Sequence, residues 1–294
     1  MSKMSIAKGL YVGINVVEAK LAKLSKHQIL VDGLAVTYLS NVKTFNTDKP
    51  ILLLLHGFSG DKYVWNKLAK YLSSKHQLLI PDLKGHGETP YRENDYYSVP
   101  SQCVMVIKFL DLLNVHQFSV IGNSMGGMIA AKLIESIPQR IHKCVLMDPA
   151  GARSTYVMQE LDKHINMFEQ CSEKDFMAFY KLLMARPPFI PKFILRVLAQ
   201  EYIRKSVQHA RMFEQFYTLD DFFPACHRFV FSNTMLIWGL NDKLLPIDDY
   251  QQWKTMLTGC TRIYEDLGHL PMIEDAKRVA TDIAAFLAAP AHQE

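Results

Sequence analysis

Residues 51–55 read Ile-Leu-Leu-Leu-Leu, a run with no polar side. A strand of that kind is buried on both faces, the condition of a central strand in a parallel sheet. From about residue 28 onward such short apolar runs alternate with helical stretches. The expected strands are 28–31, 34–39, 51–55, 77–80, 118–121, 143–147, 234–238 and 261–264. Helical periodicity falls at 65–72, 101–113, 125–137, 248–256 and 277–287. This alternation predicts an α/β fold, a mostly parallel eight-stranded sheet flanked by helices. Only the first two strands, separated by Asp32-Gly33, read as a hairpin.

Residues 151–224 break the rhythm. They contain no clear strand, and they carry nine of the sixteen phenylalanines. A helical insertion of this length between strands six and seven is expected to form a cap over the C-terminal edge of the sheet, where open α/β sheets bind ligands. Most of its aromatic side chains should form the core of the cap, with a few facing a cavity. The expected organisation is therefore an N-terminal helix over 1–27, a core in two parts at 28–150 and 225–294, and a cap at 151–224.

Composition narrows the function classes. With 294 residues, 49% hydrophobic and 21% charged, the chain has the profile of a globular protein rather than a disordered or polytopic membrane one. Five cysteines (Cys103, Cys144, Cys171, Cys226 and Cys260) show no spacing of a disulfide framework or zinc site, which favours a reducing, cytoplasmic setting. The net charge of +4 is localised: residues 1–27 hold five lysines against Glu18, and the rest of the chain carries 28 basic and 28 acidic residues. A nucleic-acid binder would carry a basic stripe across its folded domain, so no nucleic-acid partner is expected.

In that N-terminal segment Ile6, Leu10, Ile14, Val17, Leu21 and Leu24 recur with helical spacing, with Lys8, Lys20, Lys23 and Lys26 on the other side. Two readings follow, a helix lying in a membrane interface and an amphipathic helix packed on its own domain. Gly9 and Gly13 each weaken the helix by about 1 kcal/mol relative to alanine. No run is long enough to span a bilayer.

The chemistry concentrates in Gly122-Asn123-Ser124-Met125-Gly126, which follows a buried strand and opens a helix. That is the setting of a nucleophile elbow, whose tight turn needs small residues at Gly122 and Gly126 and aims a helix N-terminus at any anion formed on Ser124. A serine nucleophile needs a base, and the base an orienting acid, in the chain order Ser, acid, His. Asp242 follows the seventh strand and His269 the eighth, which puts both on the rim that carries Ser124. Asp148, after the sixth strand, is the alternative acid and ranks below Asp242 because Pro149 and the cap follow it directly. His56-Gly57-Phe58 follows strand 51–55. There the backbone N–H of Phe58 is expected to form an oxyanion hole with that of Met125. His56 and His86 are read as loop braces.

From about residue 28 to its end the chain resembles the α/β-hydrolase superfamily, through His56-Gly57-Phe58, Asp82 to Gly87, Gly122 to Gly127, Asp242 and Gly268-His269. Within it the chain resembles bacterial lipases and esterases related to monoacylglycerol lipases, with further support from Asp148-Pro-Ala-Gly151, Arg186-Pro-Pro-Phe-Ile-Pro191 and Gly268-His-Leu-Pro-Met272. The resemblance implies hydrolysis of lipid esters such as mono- or triacylglycerols through an acyl-enzyme on Ser124, with no cofactor, and a peripheral membrane contact through residues 1–27. Two alternatives stay open. One is a carbon–carbon bond hydrolase of the meta-cleavage-product type, disfavoured by Phe58-Ser59-Gly60 where that group carries Gly-Pro-Gly. The other is a non-catalytic ligand-binding member of the fold. Epoxide hydrolases and haloalkane dehalogenases place an aspartate where Ser124 stands. Oligomeric state is not legible.

Overall fold

The structure, a computed structural model, describes residues 3–46, 48–154, 168, 171–218, 220–229 and 231–290, with side chains from residue 7 onward. Eight strands form one sheet: β1 (Ser25–Val31), β2 (Leu34–Ser40), β3 (Ile51–Leu55), β4 (Gln77–Pro81), β5 (Phe118–Asn123), β6 (Ile141–Met147), β7 (Thr234–Gly239) and β8 (Cys260–Tyr264). Their spatial order is β1-β2-β4-β3-β5-β6-β7-β8. The β1–β2 hairpin and the β2–β4 pair are antiparallel, and every pair from β4 to β8 is parallel.

The central strand shows why the apolar runs pack as they do. Along β3 the side chains alternate between the sheet's two faces, as a strand's period of two requires. Leu53 and Leu55 join one core, with Phe109 and Val106 of α3 (Val99–Leu112) and Met128 and Ile129 of α4 (Met125–Ser136). Leu52 and Leu54 join the other, with Leu68 and Leu72 of α2 (Asn66–Leu72) and Val279 and Ile283 near the C-terminus. Each such leucine, fully removed from water, contributes about 1.5–3 kcal/mol of burial.

From β3 the chain steps to β4 on one side and returns to β5 on the other. The β3–β5 seam is thus the switch point where an open α/β sheet forms its crevice. In register Leu55 lies beside Gly122, so the loop after β3 meets the turn after β5.

The N-terminal helix, α1 (Lys3–Leu21), ends before the expected segment does. Ser25, Lys26 and His27, assigned from the sequence to the N-terminal segment, belong to β1. This edge strand is largely exposed and so lacks the apolar signature of a buried one. Of the two readings of the apolar stripe, packing on the domain holds for Leu24 but not for its helical members Leu10, Ile14, Val17 and Leu21. The helix lies on the domain through Ala7, Asn15 and Ala19, followed by Ala22 and Leu24, while Leu10, Ile14, Val17 (56% exposed) and Leu21 (63% exposed) face outward. The Asn66 side-chain amide donates to the Asn15 carbonyl at 2.9 Å and fixes the contact with α2. The side chain of Ile6 lies outside the described residues.

Within the insertion the structure describes α5 (Glu173–Leu183), α6 (Lys192–Arg204) and α7 (Ser206–Phe216). Residues 155–167 and 169–170 of the expected cap lie outside the described residues. A capping box between Ser172 and Asp175 starts α5, and Pro191 precedes α6. Seven of the nine insertion phenylalanines are buried, whereas Phe189 is 93% exposed and Phe193 half exposed. The last three helices are α8 (Ile247–Met256), α9 (Pro271–Glu274) and α10 (Ala276–Ala288).

Candidate active site

Ser124 stands between β5 and α4 with φ 54° and ψ −121°, a backbone conformation that a side chain seldom adopts. The surroundings enforce it. A Cβ on Gly126 would sit 2.1 Å from the Leu55 carbonyl oxygen, and one on Gly122 would sit 2.1 Å from the Gly126 oxygen. With both positions closed to side chains, β5 runs straight into the helix and leaves Ser124 at its N-terminus, where backbone N–H groups favour negative charge. The amides of Phe58 and Met125 have no intramolecular acceptor among the described residues. A Cβ on Gly57 would come 3.1 Å from that of Ser124, which measures how closely the loop after β3 approaches the turn.

Two buried histidines, His56 and His86, lie near this seam. His56 is wholly buried and bridges two loops. Its Nε2 accepts from the Leu83 amide at 3.0 Å, so Nδ1 carries the proton and donates to the Gly57 carbonyl at 2.8 Å. Burial pushes its pKa down to about 4, so the ring is neutral at pH 7. His86 is likewise pushed down to about 3, mainly by burial. The same two loops are tied by a buried ion pair: Lys62 Nζ donates to Asp82 Oδ2 at 2.6 Å, and the Lys62 amide donates to Asp82 Oδ1 at 2.8 Å.

His269, in the loop after β8, is buried, and its Nδ1 lies 2.6 Å from Asp242 Oδ2. Asp242 is in turn fixed by the amides of Leu244 and Leu245, which donate to its Oδ1 at 2.7 and 2.9 Å. An imidazole held this way presents Nε2 away from the acid. Ser124 and His269 line one cavity of about 580 Å³. No hydrogen bond joins the serine hydroxyl to the ring among the described residues, a common state of such pairs before substrate binds.

Two residues to which the sequence assigned no role, Asn123 and Glu274, hold this arrangement together, and a third, Asp249, lies near it. The Asn123 amide donates to the Met147 carbonyl at 3.1 Å and to the His269 carbonyl at 3.0 Å, linking the turn to the histidine loop. Glu274 accepts from the Gly268 amide at 2.9 Å and braces the same loop from α9. Asp249, at the start of α8, is buried beside Ser154. Burial pushes its carboxyl up to about 7 against the hydrogen bond from Ser154, and the Asp242 charge adds to the rise.

Much of the cavity wall is apolar, with Phe168, Phe176, Phe179, Phe213 and Phe216 from the insertion and Phe58 from the loop after β3. Phe58 stacks on Phe216 and meets Phe168 and Phe213 edge-on at 5.1 and 5.3 Å. Tyr11, Val12, Asn15 and Val16 of α1 also line the cavity. Its volume lies within the range of small-molecule sites. One carboxylate oxygen of Asp148, one of Asp242 and a ring nitrogen of His269 lie within 4.8 Å of one another.

Set against known proteins, residues 50–276 match the family model described as alpha/beta hydrolase fold. The chain is 30% identical to Lipase 3 of Moraxella sp. (strain TA144) over 268 residues, covering 89% of this chain and 84% of that protein. It is 26% identical to the monoacylglycerol lipase abhd6-B of Xenopus laevis, covering 82% and 76%. A solved structure of a membrane phospholipase A, described as a bacterial virulence factor, superposes with a TM-score of 0.87 at 28% identity, covering 96% of this chain and 91% of that one.

Proposed function

Because the chain belongs to the α/β-hydrolase family, we propose that it is a carboxylic ester hydrolase acting on lipid esters through an acyl-enzyme on Ser124. The observation that supports this most directly is the chain of contacts at the rim: Asp242 bound to His269, and His269 sharing a cavity with a serine held in a strained turn. The lipase and monoacylglycerol lipase relatives support the lipid ester class.

In this reading Ser124 Oγ attacks the ester carbonyl while His269 Nε2 takes its proton. Asp242 holds the tautomer with Nδ1 protonated and stabilises the imidazolium that forms. The amides of Phe58 and Met125 receive the negative charge of the tetrahedral intermediate, each such donor accounting for about 3 kcal/mol of barrier lowering. His269 then protonates the leaving alcohol. In the second half-reaction it activates the water that releases the acid. The phenylalanine wall accommodates the acyl chain.

The reading includes a peripheral membrane contact through α1. No described helix is long and apolar enough to cross a bilayer. The outward stripe of Leu10, Ile14, Val17 and Leu21, with Lys20 and Lys23 exposed beside it, has the make-up of an interfacial helix. Since α1 and Ser124 line one cavity, that cavity offers a lipid a route from the interface to Ser124.

Hydrolysis of p-nitrophenyl esters with acyl chains of two to sixteen carbons tests the ester reading, with Ser124→Ala measured beside the wild type. The expected result is turnover that falls by about a millionfold in the variant. A folded wild type that is inert on every ester would overturn the reading.

A further inference from the structure

The apolar lining of the cavity is interrupted by charged groups that the mechanism above does not use. Most of them are already paired. Lys8 binds Glu201 at 2.6 Å, Lys26 binds Glu88 at 2.9 Å, and Lys62 binds Asp82 and Glu88 at 2.6 and 2.7 Å. Two cavity-lining charges are left over, Asp61 and Lys205, and neither forms an ion pair among the described residues. Asp61 stands three residues past Phe58 in the loop after β3. Its Oδ1 accepts the Tyr63 amide at 2.8 Å and caps the short turn Lys62–Trp65, and its side chain makes no other hydrogen bond among the described residues. Lys205 joins α6 to α7, and its ammonium donates only to the Gly87 carbonyl, at 3.4 Å. The two groups are too far apart for a direct pair, yet close enough for the Lys205 charge to draw the Asp61 pKa down. Burial and the Asp82 charge outweigh that pull and push the carboxyl up to about 6, so it is mostly ionised at pH 7.

Two imidazoles share this part of the cavity, and the Lys205 charge acts on both. His209 lies one turn on from Lys205, its amide bonded to the Lys205 carbonyl at 2.8 Å, and His86 adjoins Gly87. They are 4% and 2% exposed. His86 Nδ1 donates to the Lys84 carbonyl at 2.9 Å and so braces its loop, which leaves Nε2 as an acceptor with no partner. His209 Nδ1 has no partner either. Burial drives the His209 pKa down to about 3, as it does that of His86, so both rings are neutral at pH 7. Buried polar atoms left unpaired are uncommon, and beside a cavity they call for a group that enters it.

We propose that Asp61 and Lys205, together with His86 and His209, bind the alcohol part of the substrate, and that this part is a neutral polyol such as the glycerol of a monoacylglycerol. The inference rests on the ester reading above and adds which esters are preferred. An anionic head group would gain Lys205 but face the Asp61 carboxylate, and a cationic one would gain Asp61 but face Lys205. A phosphocholine zwitterion matches both charges, yet it has no hydrogen-bond donor for His86 Nε2. A polyol serves every group. One hydroxyl donates to Asp61, the oxygen of a neighbouring hydroxyl accepts from Lys205, and the remaining O–H groups suit the neutral rings. Both ends of the ester are then held in one cavity, the acyl chain against the phenylalanines and the alcohol on the polar groups.

The test compares kcat/KM for monooctanoylglycerol, ethyl octanoate and monooctanoyl glycerophosphocholine, with the released acid followed by titration. The wild type is expected to prefer the glyceryl ester to the ethyl ester by at least about tenfold, since a site built to bind hydroxyls discriminates against an analogue that lacks them. In Asp61→Asn, and separately in Lys205→Met, the ratio of glyceryl to ethyl ester turnover is expected to fall by about tenfold. Asparagine caps a turn as well as aspartate does, so a purely capping role survives the substitution. The ratio is read within one protein, so a smaller folded fraction lowers both rates alike and leaves it unmoved. Lys205→Gln serves should the methionine variant fail to fold. A ratio unmoved in either variant overturns the proposal. So does a wild type that shows no preference, or one that turns over the glycerophosphocholine ester faster than the glyceryl ester. A folded wild type inert on all three esters would instead remove the ester reading itself, an outcome separate from these.

Discussion

The rim of the sheet and the N-terminal helix reverse the usual distribution of polar and apolar groups in opposite senses. At the rim, His269, Asp242, Asp148 and the Lys62–Asp82 pair are polar and buried. On α1, Leu10, Ile14, Val17 and Leu21 are apolar and exposed. Neither arrangement is what folding alone favours: a buried charge needs a partner, and an exposed leucine forgoes its burial energy. The rim meets its cost with hydrogen bonds that fix each group in one geometry, as acid–base chemistry requires. The helix leaves its stripe uncovered, which in water is a liability and at a lipid surface a binding site. The two regions meet at the cavity, which is lined by Ser124 and His269 of the rim and by Tyr11, Val12, Asn15 and Val16 of α1.

One kind of substitution made in both regions should give opposite signs. Gly126→Ala puts a Cβ 2.1 Å from the Leu55 oxygen. It is expected to cost at least a hundredfold in ester hydrolysis and about 3 kcal/mol in stability, since the backbone at the turn must shift. Gly13→Ala on α1 meets nothing within 4 Å and should stabilise by up to about 1 kcal/mol through helix propensity. Thermal melts and rate assays on the pair check both, and equal effects at the two sites would dissolve the contrast.

Asp249 gives the rim a pH signature. The folded chain keeps its carboxyl proton up to about pH 7, whereas the unfolded chain releases it near 3.8. The folded state therefore binds the extra proton between those values, and stability falls as pH rises through that window. Asp249→Asn removes the loss, so its stability relative to wild type should rise by about 4 kcal/mol between pH 4 and pH 8. Denaturant titrations at the two pH values test this, and a pH-independent difference would contradict it. The smallest effect on stability belongs to the outer stripe. Changing Leu10, Ile14, Val17 and Leu21 to serine together should alter stability by less than about 1 kcal/mol while abolishing flotation with anionic vesicles. Undiminished flotation would remove the membrane contact.

What could be read from the sequence follows the same division. The strands β3 to β7 were legible because burial on both faces leaves an apolar run, and the order Ser124, Asp242, His269 along the chain placed all three on one rim. Ser25 to His27 were not, because an exposed edge strand has no such run. Hydrophobic periodicity did locate α1, but it marked the outer face. The inner face packs through small residues, Ala7, Ala19 and Ala22, whose contribution comes from close approach rather than apolar bulk. Asn123, Glu274 and Asp249 carry no local signal, since each acts through a partner distant in the chain or brought alongside only by the fold. Asp148 was visible as a spare acid after the sixth strand, but that its Oδ2 finds no hydrogen-bond partner among the described residues appears only when the sheet is assembled.

The central claim is that an acyl group passes through Ser124 with His269 as its base. The most direct measurement is acid-quenched mass spectrometry of the protein during turnover of p-nitrophenyl hexanoate, followed by peptide mapping. The account predicts a hexanoyl mass increment on the peptide that carries Ser124, present in the wild type and absent in Ser124→Ala. Turnover that continues at the wild-type rate in Ser124→Ala, or an increment on another residue, would contradict it.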